Sequence, residues 1–253
     1  MKIVTWNVRC VWKAEVDGIN SFVHRAGLIY EKISAEKPDA IAFQEVTPQI
    51  LELLKRVLPE YGFFGSGRLE DYGGEGLYIA WHKDSFALMG GEVFWLSPTP
   101  YVAGSRFETQ SDCPRVCPMV KLRDLKTNEC MRLWNIHLDH VSDEARRLGL
   151  KCLFDFVEHF SEMDSTPHII LGDFNATPES ETMTWCEERE GITDVSKGFQ
   201  TTFHGFGRRD DEKIDYIYVS NVLKEKVRKT ELWTDEHDGV YLSDHYPVCM
   251  EIK

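Results

Sequence analysis

The stretch Leu171-Gly-Asp-Phe-Asn-Ala176 constrains this chain more than any other. It follows the apolar run His168-Ile-Ile-Leu171, which reads as a buried strand. Gly172 is expected to end that strand and let the backbone turn sharply. Thr177-Pro178 reads as an N-cap followed by the favoured proline at the first helical position. Asp173 and Asn175, neither suited to a core, are thereby set at the C-terminal edge of a strand with a helix behind them. A carboxylate in such a place can hold or deprotonate a water, and an amide can donate to an oxyanion. The plain alternative is a polar turn that uses Asp and Asn as turn formers.

What weighs against the plain alternative is recurrence. Residues 2–8 form an apolar run that ends in Trp6-Asn7-Val8-Arg9, and Ala40-Ile-Ala-Phe43 ends in Gln44-Glu45. A strand over 129–139 puts Asn135 and His137 on one face by its period of two. A strand over 213–220 carries Asp215, and Ser243-Asp244-His245 leads into a last strand from about Tyr246. Further strands are read near 61–65, 77–82, 87–95 and 115–125, with a surface loop over 97–114. Helices are expected over 22–37, after Thr47-Pro48, after Ser142 and near 179–190. The third is the clearest, with Ala145, Leu148, Cys152 and Phe156 on one stripe and Asp143 and Glu144 in its first turn. Helices thus come singly between groups of strands, which suggests two packed sheets flanked by helices. No composition shift marks a linker, so residues 1–253 are read as a single domain.

The formal net charge of −13 argues against a protein that embraces duplex DNA over its whole surface, since phosphates are neutralised by Lys and Arg. It suits a site that gathers carboxylates around a metal. No apolar run approaches the roughly 20 residues of a membrane span. Met1 leads directly into Lys-Ile-Val-Thr-Trp without a signal-like apolar region. The seven cysteines are scattered and complete no zinc pattern, so reduced thiols and a cytoplasmic location are expected. No obligate protein partner is evident.

Six stretches, in order from the first strand to the last, resemble the endonuclease/exonuclease/phosphatase superfamily of metal-dependent phosphoesterases. They are Thr5-Trp-Asn7, Phe43-Gln-Glu45, Asn135-Ile-His-Leu-Asp-His140, Gly172-Asp-Phe-Asn175, Ile214-Asp-Tyr-Ile217 and Ser243-Asp-His-Tyr-Pro247. Phe94-Trp-Leu-Ser97, Arg115 and Glu144-Ala-Arg146 look most like the nocturnin and deadenylase-like branch and its bacterial relatives. Arg9 departs from the abasic-site endonuclease branch, which carries an acid there. The resemblance implies a four-layer α/β sandwich, two mixed β-sheets face to face with helices outside.

It also implies Mg²⁺ or Mn²⁺ held by Glu45, with Asn7 and Asp244 building that pocket directly or through water. Asp173 is then the candidate to position and deprotonate a water, and Asn175 to donate to the phosphoryl group. Asp215 should orient His245, and His245 and His137 can bond phosphate oxygens, with Arg115 offering a further fork. Whether a histidine or Asp173 is the base stays open. Strand alternation points His140 away from His137, favouring a supporting role for it over a zinc cluster. Tyr72, Glu75, Trp95, Phe107, Arg208 and Arg209 are candidates to line the cleft. The substrate class is a phosphoester, on single-stranded nucleic acid or a small phosphorylated molecule. The competing reading is a non-catalytic binding module on a degenerate phosphoesterase scaffold.

Overall fold

A strand buried on both faces needs a layer on each side, and the first strand already shows this. Ile3 packs with Val120, Leu133 and Ile169, whereas Val4 and Trp6 pack with Ile29, Ile33 and Ile50. The computed structural model, which describes residues 1–209 and 212–253, builds that requirement into four layers. The strands are β1 (Lys2–Asn7), β2 (Ala40–Val46), β3 (Tyr61–Gly67), β4 (Gly76–His82), β5 (Phe86–Trp95), β6 (Val116–Asp124) and β7 (Cys130–His137). They continue as β8 (His168–Asp173), β9 (Ile192–Asp194), β10 (Asp215–Ser220), β11 (Val227–Leu232), β12 (Glu236–His237), β13 (Val240–Tyr241) and β14 (Val248–Ile252). The helices are α1 (Ala14–Asp17), α2 (Phe22–Glu36), α3 (Pro48–Val57), α4 (Asp143–Met163), α5 (Glu181–Glu187) and α6 (Asn221–Lys224).

One sheet runs β11-β14-β1-β2-β4-β3 and the other β5-β6-β7-β8-β10-β9, with β12 and β13 as a short separate pair. Each large sheet has one parallel pair at its centre, β1 with β2 and β7 with β8, and only antiparallel pairs outside it. A parallel pair needs a crossover, supplied by α2 in one sheet and α4 in the other. Helices α2 and α3 cover the first sheet through Ile29, Ile33, Ile50 and Leu54; α4 covers the second through Leu150, Leu153 and Val157. Ile3, Ala42, Val120, Leu133, Leu171 and Ile217 fill the space between the sheets. The expected four-layer sandwich is therefore what forms. No helix among the described residues is long and apolar enough to cross a membrane.

Two local expectations are corrected. Gly172 lies inside β8 rather than ending it; its φ is 151°, and a Cβ there would sit 2.0 Å from the carbonyl oxygen of Ile136 on β7. Close approach of the neighbouring strand, not a turn, demands glycine. The turn comes later, at Asn175, whose φ is 47°. Nor does Thr177-Pro178 open the next helix. Ser180 caps α5, its hydroxyl accepting from the Met183 amide at 3.2 Å, so that helix is shorter than 179–190. Ser142 caps α4, its hydroxyl accepting from the Ala145 amide at 3.1 Å.

The outer end of α4 is tied to the sheet by charge. Asp164 accepts from both terminal nitrogens of Arg132 on β7, at 2.8 and 2.7 Å, and from Lys121 Nζ at 2.8 Å. Arg132 is buried, so removing its carboxylate strands a guanidinium away from water. Because Asp164 itself is partly exposed and solvent screens the pair, Asp164→Ala is expected to cost about 1.5 kcal/mol and to lower the melting temperature by roughly 4 °C in a calorimetric scan. Bonding to Arg132 holds the Asp164 carboxyl below its ordinary value of 3.8. Its stabilisation is therefore present above that value and is lost as pH falls below it, so the gap between variant and wild type should narrow in acid.

Candidate active site

The topology decides where polar residues gather. The central parallel strands β1, β2, β7 and β8 deliver Asn7, Glu45, His137 and Asp173 at or beside their C-terminal ends. Their antiparallel neighbours start where those strands stop, so Glu75 precedes β4, Arg115 precedes β6, Asp215 opens β10, and Asp244 and His245 precede β14. All of these border or lie directly behind one cavity of about 750 Å³. Asn7 and Asp215 are the two behind its wall, each bonded to a residue that lines it.

Glu45 reaches the cavity through a β-bulge. The β2–β4 register shifts between Phe43 and Val46, and Glu45 adopts a φ of 60°. A non-glycine residue in that region costs about 1 kcal/mol or more. Asn135, on β7 of the other sheet, donates to the Phe43 and Tyr78 carbonyls beside the bulge, at 2.9 and 3.1 Å. It also accepts from Gln44 at 2.7 Å. This buried amide pair stitches the two sheets together beneath the cleft. The Glu45 carboxylate accepts from the Cys10 amide at 3.0 Å and from Asn7 Nδ2 at 3.1 Å. Burial would raise the Glu45 pKa, but Arg9, the Cys10 amide and Asn7 outweigh it and hold the group below its ordinary value.

Asn7 binds Asp173 through the same nitrogen, at 3.0 Å to Oδ2, while its own oxygen accepts from the Arg9 amide at 3.0 Å. The amide thus presents N–H rather than oxygen to both carboxylates. In this arrangement it orients them.

Asp173 also accepts from the Asn175 amide at 2.9 Å, and its Oδ2 lies 3.5 Å from His137 Nε2 and 3.8 Å from His245 Nε2. On its far side His245 Nδ1 donates to Asp215 Oδ2 at 2.8 Å. Burial would lower the His245 pKa, but Asp215 overrides it and, with Asp173, pushes it up to about 10. Asp173 itself is pushed up to about 7, chiefly by burial. Burial and the Arg115 charge push His137 well below its ordinary value, so it is a neutral imidazole. One cationic histidine, one neutral histidine and one carboxylate of intermediate basicity therefore share the floor of the cleft.

The opposite flank is cationic. Arg115 is buried, bonds His140 Nδ1 at 3.0 Å, leaves its Nε without a hydrogen-bond partner and has no carboxylate of the described residues within ion-pair distance. Arg68, paired with Glu75 at 2.7 Å, lines the same cavity, as does Arg146. The basis of the supporting role expected for His140 needs correction: β7 ends at His137, so strand alternation does not extend to residue 140; His140 lines the cavity and bonds Arg115. Asp139 instead accepts from the Ser111, Val141 and Ser142 amides, pinning two loops. Asn175 turns its side-chain nitrogen to the Leu138 carbonyl at 3.0 Å, while the residue lines the cavity. Among the other cleft candidates, Glu75 and Arg209 line the cavity. Trp95 is buried with its Nε1 on the Arg68 carbonyl, and Arg208 donates to the backbone of Val16 and Asp17. Arg68 and Glu212 are cavity residues that no sequence motif singled out, and Arg146, from the Glu144-Ala-Arg146 stretch, lines it too.

Two groups of donors lie close enough to share an ion, Cys10–Glu45–Glu75 and Asp173–Asp215–His245, the ligand atoms of each within 4.8 Å of one another. The second is already engaged in the His245–Asp215 bond. In the first, burial pushes the Cys10 thiol up to about 12, leaving two carboxylates as the charged donors. An oxygen set of that kind fits a hard ion such as Mg²⁺ or Mn²⁺.

Solved structures share this architecture over the whole chain. An endonuclease/exonuclease/phosphatase protein from Bacteroides vulgatus is 28% identical, with a TM-score of 0.89 over 100% of this chain and 98% of that one. A mannosyl-6-phosphatase from Bacteroides thetaiotaomicron is 22% identical, with a TM-score of 0.89 over 100% and 99%. The human nocturnin catalytic domain with bound sulfate is 18% identical, with a TM-score of 0.73 over 100% and 93%. The sequence model of the endonuclease/exonuclease/phosphatase family matches residues 4–245, and this chain belongs to that family.

Proposed function

We propose that this protein is a divalent-cation-dependent phosphoester hydrolase that acts by in-line attack of an activated water on a compact phosphorylated substrate. The observation that carries the reading is the row Asp215–His245–Asp173, set in one cavity with the bulged Glu45. Asp173, ionised, accepts the proton of the attacking water; its two hydrogen bonds, from Asn7 and the Asn175 amide, fix which lone pairs face the cleft. His245, cationic and held in one orientation by Asp215, donates from Nε2 to a phosphoryl oxygen, and neutral His137 donates from the neighbouring strand. Asn175 and Arg115 supply further donors to the phosphoryl group. Glu45 is the principal ligand of the ion, with Asn7 and Asp244 shaping its pocket. Bound Mg²⁺ or Mn²⁺ would draw negative charge from the phosphoryl oxygens.

The volume of about 750 Å³ suits a small ligand, and the net charge of −13 disfavours wrapping a duplex. A sugar phosphate enters the comparison because one structural neighbour is a mannosyl-6-phosphatase. The test is a panel of sugar phosphates, nucleotides, phospholipid headgroups and single-stranded oligonucleotides, each with Mg²⁺ and with EDTA. Metal-dependent release of phosphate from the small substrates, at least tenfold faster than oligonucleotide cleavage, is the expected result. Oligonucleotide cleavage alone would make it a nuclease. No hydrolysis of any phosphoester would support a binding module instead.

A further inference from the structure

We propose that the site holds a single divalent ion between Glu45 and Glu75, and that Arg9 keeps Asp244 out of its ligand set. This rests on the phosphoesterase reading above and specifies its cation site. Glu75 owes its place to strand register: Gly76 pairs with Val46, and the bulge before Val46 swings Glu45 toward the start of β4. The two carboxylates offer oxygens within 4.8 Å of each other. Two ligands of one Mg²⁺, each at about 2.1 Å, can be at most about 4.2 Å apart, so the pair needs to close by at most about 0.6 Å. Both acids keep capacity for an ion. Glu75 spends one oxygen on Arg68, and each Glu45 oxygen accepts a single N–H.

Asp244 is differently placed. Arg9 Nη1 lies 3.4 Å from its Oδ2. The guanidinium cannot swing aside, because Nε and Nη2 are clamped on buried Asp17 at 3.2 and 3.0 Å. A cation already occupies the Oδ2 side of Asp244.

The experiment is Mn²⁺ titration of the full chain, following free Mn²⁺ by electron paramagnetic resonance, with thermal melts to show that each variant is folded. Wild type should bind one ion. Glu75→Gln, which preserves volume, should weaken Kd at least tenfold, and Asp244→Asn less than threefold. Arg9→Gln should admit a second ion. Two ions on wild type, or Asp244→Asn weakening binding more than Glu75→Gln, would overturn the proposal while leaving the cation-dependent reading intact. An Arg9→Gln protein still limited to one ion would overturn the part assigned to Arg9. No Mn²⁺ bound to wild type at millimolar concentration would instead overturn the cation site itself.

Discussion

Asp173→Asn is expected to lower kcat by about 10⁴-fold and at the same time to raise the melting temperature above neutral pH. The first effect follows from position. Asp173 is the acid to which both cleft histidines turn a ring nitrogen, at 3.5 and 3.8 Å. An amide there retains the size and one acceptor but cannot take a proton from water, which removes general-base catalysis worth about 10² to 10⁴-fold, and weakens the ordering of both histidines. The second effect follows from burial, which pushes the Asp173 carboxyl from its ordinary 3.8 to about 7. An acid harder to ionise folded than unfolded subtracts stability as pH rises from the lower value to the higher. The penalty is then fully present above the higher value. The neutral amide escapes it, so the advantage of the variant should be largest at pH 8 and vanish near pH 4 in paired melting curves. An inactive and destabilised variant at pH 8 would make Asp173 a structural residue. Activity within tenfold of wild type would remove it from the mechanism.

Much of this site could be read before the fold was known, because strand ends are marked by apolar runs that stop at a polar residue. Asn7, Glu45, His137 and Asp173 all follow such runs, and single helices between groups of strands suggest two packed sheets flanked by helices, to which the family resemblance adds the four-layer order. What could not be read depended on register and on distance. Glu75 is legible as a cleft candidate, but it sits in a glycine-rich stretch with no apolar run before it, and only the Val46–Gly76 pairing places it beside Glu45. The bulge that turns Glu45 leaves no mark in the sequence, since the Phe43 carbonyl beside it is satisfied by Asn135 from 92 residues away. Gly172 looked like a turn residue because the carbonyl of Ile136 that excludes its side chain belongs to another strand. Arg25 occupies the buried side of α2 beside Phe22 and Ile29, where a helical stripe predicts an apolar residue. Its guanidinium donates instead to the Asn20, Val8 and Leu242 carbonyls, at 2.6, 2.9 and 2.7 Å. That contact ties α2 to the loops carrying Arg9 and Asp244, and it exists only in three dimensions.

Asp215→Asn should lower kcat at pH 7.5 by about 10³-fold, by changing the charge of His245 rather than its place. The asparagine oxygen can still accept from Nδ1, so the 2.8 Å contact and the packing around it are retained. What disappears is the carboxylate that overrides burial and lifts the imidazole to about 10. With it gone, only Asp173 and Asp244 oppose desolvation, so the imidazole pKa falls, the ring gives up its proton more readily, Nε2 loses charge-assisted donation to the phosphoryl oxygen and the tautomer is no longer fixed. The pH profile separates this from a loss of structure. Wild-type kcat should rise as Asp173 ionises through about 7 and fall as His245 loses its proton through about 10. In the variant the alkaline limb should move to lower pH while substrate KM changes less than threefold. Activity should then be partly recovered in acid, bounded there by protonation of Asp173. An alkaline limb left in place by Asp215→Asn would mean that some other group carries the proton, and the row Asp215–His245–Asp173 would lose its assigned order. A variant equally impaired at every pH would mean that Asp215 only holds the ring in position.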